Sequence, residues 1–270
     1  MLEHELKVVR QLVLEVGEAI LRIAEKHYHT APENVDRTVV TEADLEADRL
    51  LRERLGEEFP SYGWLSEETK MDARRHTSSR VWIVDPIDGT REFVLQIPEY
   101  AVSVSLVEDG VPVLGVVYNP PKQELYSAIK GQGAQLNGSL IRCDHDLGGK
   151  PIVEVSRSDI DKGRFSAFED NVQLHPCGSI AYKLARLAAG RVDSTLSLTP
   201  KNEWDIAAGV ILVTEAGGRI TELKGGGYCF NQKDTLVNGV IAATQEAYRP
   251  IKEMVDFWQS ERPRPEAAIF

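Results

Sequence analysis

Carboxylates are the residues that could do chemistry in this chain. They come from separate segments: Glu67 and Glu68 in GWLSEET, Asp85 and Asp88 in VWIVDPIDGTREF, and Asp205 in NEWDIAAG. Singly, each has an ordinary explanation as a surface acidic pair, a turn-forming aspartate or a charge in the first turn of a helix. Together they supply hard oxygen donors from several directions, the donor set of a site that holds more than one Mg2+ for phosphoryl chemistry. Gly89 and Thr90 follow directly. A glycine lets the main chain approach a phosphate, and a helix start after it offers unpaired N–H groups to phosphate oxygens. Asp44 carries two readings: a cap partner of Thr41 at a helix start, or a carboxylate that reaches across to orient Thr90.

The elements that must place these groups are legible around them. Val81 to Val84 form an unbroken apolar run bounded by proline and glycine, which predicts a strand covered on both faces with Asp85 and Asp88 at its carboxyl end. Leu6, Val9, Val13, Val16, Ile20 and Ile23 recur at helical spacing and predict a helix over about 3–27. Leu45, Leu50, Leu51 and Leu55 predict a second, from Thr41 to before Pro60. The run AVSVSLVEDGVPVLGVVYNP reads as a hairpin, and ELYSAIKGQGAQLNG extends it as an antiparallel meander. Beyond it, PIVEVS and GVIAAT read as strands, and SIAYKLARLAAG and WDIAAGVILVTEAGG as helices closed by Gly190 and by Gly217 with Gly218. The polar stretch CDHDLGGKP, 143–151, divides an α+β half, 1–145, from an α/β half, 146–270.

Composition narrows the function classes. The chain has 270 residues and a formal net charge of -11, which argues against a phosphate-backbone partner such as nucleic acid. A phosphate ester would be repelled by such a protein unless cations stood between them. No apolar stretch approaches the ~20 residues that cross a bilayer, and the first residues alternate charged and apolar types, so a cytoplasmic protein without a membrane partner is expected. Cys143, Cys177 and Cys229 are far apart and read as reduced thiols. Nothing in the sequence decides between a monomer and a homodimer.

TVVTEAD, SEE, DPIDGT and NEWDIAAG, in this order over about residues 38–218, resemble the magnesium-dependent, lithium-sensitive phosphatases of the inositol monophosphatase superfamily. The resemblance implies a layered αβαβα sandwich of the inositol monophosphatase and fructose-1,6-bisphosphatase type. It also implies hydrolysis of a small phosphate monoester by metal-activated water. On this chain Glu67, Asp85, Asp88, Asp205 and the carbonyl of Ile87 would hold two or three Mg2+ ions. Thr90, backed by Asp44 and with Glu67 alongside, would orient and deprotonate the attacking water, and Gly89 with Thr90 would hold the phosphate. The haloacid dehalogenase fold also uses a DGT triplet, but the position of its nucleophilic aspartate is Pro86 here, which removes an aspartyl-phosphate route. A non-catalytic sensor on the same fold would be expected to lack a ligand or Thr90, and neither is lost.

Substrate specificity is expected from the pocket walls. Arg91 and Glu92 make GTREF similar to the GTKEF of 3′(2′),5′-bisphosphate nucleotidases, where inositol phosphatases commonly read GTTNF. SRS at 156–158 is similar to their SRSH, with Asp159 in place of the histidine. Leu198 falls roughly where inositol enzymes carry a ring-gripping glutamate. Arg157 and Lys183 are the candidate cations for a second phosphate, with a solvated helix face as the plainer reading of Lys183. The expected substrate is therefore a 3′(2′),5′-bisphosphate nucleotide, with inositol 1-phosphate, or another sugar or histidinol phosphate, as the alternative.

Overall fold

The computed structural model describes residues 2–28, 42–69, 72–144 and 148–261. Helices α1 (Glu3–Tyr28) and α2 (Glu42–Glu58) come first, at the predicted positions; the Thr41 cap lies outside the described residues. A seven-stranded sheet follows, in the order β1 (Gly63–Ser66), β2 (Arg80–Asp88), β3 (Ala101–Glu108), β4 (Val111–Asn119), β5 (Glu124–Ile129), β6 (Ala134–Leu136) and β7 (Ser139–Ile141). Only β1 and β2 pair in parallel; every later pair is antiparallel, the expected meander. Asp109 and Gly110 close the β3–β4 hairpin, both at positive φ (49° and 82°), as a turn matching the right-handed twist of its strands requires. The short α3 (Thr90–Val94) follows β2 directly.

Residues 152–243 supply a five-stranded sheet from β8 (Ile152–Val155), β9 (Gln173–Pro176), β10 (Ser194–Ser197), β12 (Arg219–Thr221) and β14 (Val240–Ala243). A two-strand pair, β11 (Lys201–Asn202) and β13 (Leu236–Val237), lies beside it. Helices α4 (Arg157–Asp161), α5 (Ile180–Ala188), α6 (Glu203–Glu215) and α7 (Gln245–Ser260) complete the chain.

The alternation of side chains along β2 shows how the layers form. Trp82 and Val84 join the core shared with α1 and α2, whereas Val81 and Ile83 join the core shared with α5 and α6. Ile241 and Ala243 of β14 face α7, and Val240 and Ala242 face α5 and α6. The architecture is an αβαβα sandwich, as expected. Helix α6 lies in its middle layer, and the run Ile206–Val213 is therefore apolar on nearly every side. Gly115 and Gly209 allow the close approach: a Cβ at 115 would strike Ile211 and Ala208, and one at 209 would strike Leu184. Among the described residues, no helix is long and apolar enough to cross a membrane.

Candidate active site

The parallel pairing of β1 and β2 places two acidic ends side by side. Ser66 pairs with Val84, so Glu67 and Asp85 leave adjacent strands together, and Glu67 N still donates to Val84 O at 3.3 Å. The spacing of Asp85 and Asp88 has its own cause. Asp85 pairs with Ser103 and Asp88 with Ala101, so three steps along β2 match two along β3, and a bulge at Pro86–Ile87 absorbs the extra residue. Without it, residues three apart would face opposite sides of the sheet; with it, both aspartates turn to one side. Asp205 arrives from the other half of the chain, in the first turn of α6.

These three groups converge: carboxylate oxygens of Glu67, Asp85 and Asp205 all lie within 4.8 Å of one another. Asp85 is 1% exposed, and neither of its oxygens has a hydrogen-bond partner. A buried carboxylate left so is costly unless a proton or a cation sits on it. Burial, reinforced by Glu67, Asp88 and Asp205, accordingly pushes its pKa far above the carboxylate range. Asp205 is pushed up to about 7 by burial and by Asp88, against a smaller opposite pull from Lys201. Glu67 is pushed up to about 8 by burial and by Asp205 and Asp88, but its outer side meets solvent, which screens part of that repulsion. An all-oxygen donor set with an orphaned carboxylate at its centre fits a hard divalent cation such as Mg2+.

Asp88 stands differently. It contributes to the field on all three carboxylates, yet its Oδ2 accepts from Ser179 Oγ and from Ala181 N, each at 2.6 Å, at the start of α5. Asp205 is similar in that its Oδ2 accepts from Asn202 N at 2.9 Å. Both aspartates thus commit one oxygen to the protein; Asp205 also stands in the close carboxylate group, whereas Asp88 lies outside it.

Thr90 Oγ1 lies 3.1 Å from Asp44 Oδ1 and 3.1 Å from Ile87 O, so the reading in which Asp44 reaches across to Thr90 matches the geometry. Asp44 is 2% exposed. Gly89 turns the chain into α3 at φ 95°, and a Cβ there would press on Glu99 O and Ser179 Cβ. Glu68 lies near Asp44 and Asp48 but is not part of the close carboxylate group.

The candidate substrate cations are placed less simply. Arg157 Nη1 pairs with Glu99 at 2.9 Å and lies 3.8 Å from Glu92, with its side chain 29% exposed. Lys183 is not on a solvated face. It is 3% exposed, and its Nζ donates to the carbonyls of Cys177 (3.1 Å) and Gly178 (3.4 Å). Leu198 is buried in the core beneath α7 and offers no acceptor. Sequence reasoning missed Ser179, Glu99 and Lys201. Ser179 had a local signal, since a serine three residues before Tyr182 at a helix start is a cap candidate, and its Oγ does accept from Tyr182 N.

Residues 1–256 match the family described as inositol monophosphatase family. A fructose-1,6-bisphosphatase/inositol-1-monophosphatase of Thermotoga maritima is 35% identical over 224 residues, 82% of this chain and 85% of the relative. An inositol-1-monophosphatase of Rhizobium meliloti is 30% identical over 96% of this chain and 97% of its own length. A 3′(2′),5′-bisphosphate nucleotidase CysQ of Aggregatibacter actinomycetemcomitans is 34% identical over 90% and 94%. Among solved structures, an inositol monophosphatase of Thermotoga maritima superposes with a TM-score of 0.82 at 29% identity, covering 96% of this chain and 99% of that one. Sheet order, layering, a close group of acidic side chains and similarity along nearly the whole chain agree: the protein belongs to the inositol monophosphatase family and is a phosphoric monoester hydrolase of a metal-dependent, typically Mg2+-using, type.

Proposed function

We propose that the chain hydrolyses a small phosphate monoester with Mg2+ held by Glu67, Asp85, Asp88, Asp205 and the carbonyl of Ile87, and that its preferred substrate is a 3′(2′),5′-bisphosphate nucleotide. The observation that carries the metal assignment is the pair of unpartnered, buried Asp85 oxygens inside a close group of carboxylates. Mg2+ bound there would polarise a phosphate oxygen and lower the pKa of a coordinated water from ~15.7 towards ~7. The protein's own part is placement. Asp44 orients the Thr90 hydroxyl, Thr90 and Glu67 line up the attacking water, and its proton passes to a carboxylate, Glu67 directly or Asp44 through the Thr90 hydroxyl. Gly89 and Thr90 present the main chain at the start of α3 to the phosphate.

Two features favour a bisphosphate nucleotide. Arg157 is a partly exposed guanidinium, suited to a second phosphate. It lines a hollow of about 380 Å3 with Ile160, Val172, Leu174 and Pro176, apolar surface that suits a base better than a polyol, and with Asp161 and Glu169, beside which Arg157 is the one lining cation among the described residues. Inositol 1-phosphate is the second reading, supported by relatives named inositol-1-monophosphatase. A phosphate-release panel with Mg2+ tests both, using adenosine 3′,5′-bisphosphate, inositol 1-phosphate, fructose 1,6-bisphosphate and histidinol phosphate. A higher kcat/KM on the bisphosphate nucleotide is expected. Inhibition by Li+, typical of the family, is also expected.

A further inference from the structure

Lys183 has no partner in the mechanism above, yet it is a buried cation close enough to Asp88 for their charges to interact. Its ammonium donates to two successive carbonyls, those of Cys177 and Gly178. The next residue, Ser179, sits at φ 41°, a conformation that residues with a Cβ rarely adopt and that persists only where the surroundings impose it. The surroundings here are specific. Gly178 N donates to Glu99 Oε2 at 2.8 Å, and a Cβ on residue 178 would run into the Glu92 side chain and Glu99 O. The outcome of the turn is that Ser179 Oγ and Ala181 N both reach Asp88 Oδ2. A relaxed Ser179 would swing its hydroxyl away from Asp88 and misalign the first turn of α5.

We infer that Lys183 and Ser179 are positioning residues for the metal site: Lys183 clamps the Cys177–Ser179 corner, and the corner fixes Asp88 so that its Oδ1 alone faces the metal. The inference rests on the proposed role of Asp88 as a ligand. It gives Lys183 a task other than contact with a substrate phosphate. Coupling runs across the sandwich, because Asp88 ends a strand of the first sheet whereas the corner belongs to the chain that follows β9 of the second. Arg157 joins the same corner through Glu99, whose Oε2 accepts from both Arg157 and Gly178 N.

The test compares Lys183→Met, Ser179→Gly and Asp85→Asn with the unaltered chain. Ser179→Gly removes the hydroxyl but keeps the unusual φ open to the main chain. Mg2+ binding is measured by calorimetry without substrate, alongside the Mg2+ concentration for half-maximal activity and the KM values for adenosine 3′,5′-bisphosphate and inositol 1-phosphate. Lys183→Met and Ser179→Gly should each weaken Mg2+ binding about 10- to 100-fold, the usual effect of losing a group that orients a ligand. The Mg2+ requirement should shift by the same factor on both substrates. Unchanged Mg2+ affinity in both variants would overturn the inference, as would a rise in KM confined to the bisphosphate in Lys183→Met. If Lys183→Met does not fold, as judged by circular dichroism, Ser179→Gly alone decides. Asp85→Asn separates the two levels: unaltered Mg2+ binding in that variant means that the metal site itself is misassigned, whereas its loss with unaltered binding in the corner variants rejects only the corner.

Discussion

Strand-borne and helix-held carboxylates meet in this site under different conditions. Asp85 is delivered by the register of the first sheet and arrives with both oxygens unpartnered. Asp88 and Asp205 are each steadied by the start of a helix, through Ser179 and Ala181 in one case and Asn202 in the other. The first kind stores repulsion that only a cation or a proton removes; the second has already spent part of its charge on the protein. On the proposed reading of the site, the difference separates two roles that residue type alone does not distinguish, creating the demand for a metal and fixing where the metal sits.

The largest effect should come from the strand-borne group. Asp85→Asn should lower kcat/KM on the order of a thousandfold, about 4 kcal/mol of transition-state stabilisation, and should raise the melting temperature of the metal-free protein because the buried repulsion is relieved. Near-normal turnover at saturating Mg2+, or a lower metal-free melting temperature, would break the contrast. Asp44→Asn or Thr90→Val should cost less, roughly 10- to 100-fold in kcat, since each acts by orienting a neighbour. An equal loss in Mg2+ affinity would show that Thr90 serves the metal instead.

Arg157→Met should penalise a bisphosphate nucleotide by about 1.5–3 kcal/mol in kcat/KM, the scale of hydrogen bonds to a charged group, beyond whatever loss it causes on inositol 1-phosphate through the Glu99 contact. Parallel losses on both substrates would place Arg157 in the fold rather than the pocket. The smallest effect is thermal. Glu67 and Asp205, raised to about 8 and about 7, have folded pKa values above their unfolded ones. Their contribution to metal-free stability is therefore fully present below about pH 4 and is lost as pH rises through 7 to 8. Mg2+ removes that loss, so the rise in melting temperature on adding Mg2+ should be larger at pH 8 than at pH 5.5; scanning calorimetry at both values checks it.

The contrast also explains what the sequence disclosed. The segment DPIDGT is contiguous, and bulge, turn and helix start all follow from its own residues, so its chemistry could be read directly. The long apolar helices and the hairpin were equally local. The corner was not legible, because Ser179 meets Asp88 across 91 positions and Arg157 meets Glu99 across 58. Lys183 reads from sequence as a substrate cation or a helix-surface lysine, because its period gives no hint that carbonyls of the preceding turn enclose it. Helix α7 escaped notice since Pro250 and several charged residues interrupt its apolar pattern, whereas the structure buries Tyr248, Ile251 and Val255 against the second sheet. The short strand β10 offered only STLS, too brief for an alternation to stand out.

Helix α6 has a consequence for how the chain acquires activity. It is buried on nearly every side and packs on both α5 and the first sheet, so it has no stable state of its own until both sheets exist. Asp205 rides on its first turn. The donor set therefore cannot be completed in a partly folded chain, and a segment ending near residue 145 would leave Ile83, Val117 and Tyr126 uncovered. Denaturant should abolish Mg2+ binding and helical signal in one cooperative step, and the amides of α6 should be among the last to exchange with solvent.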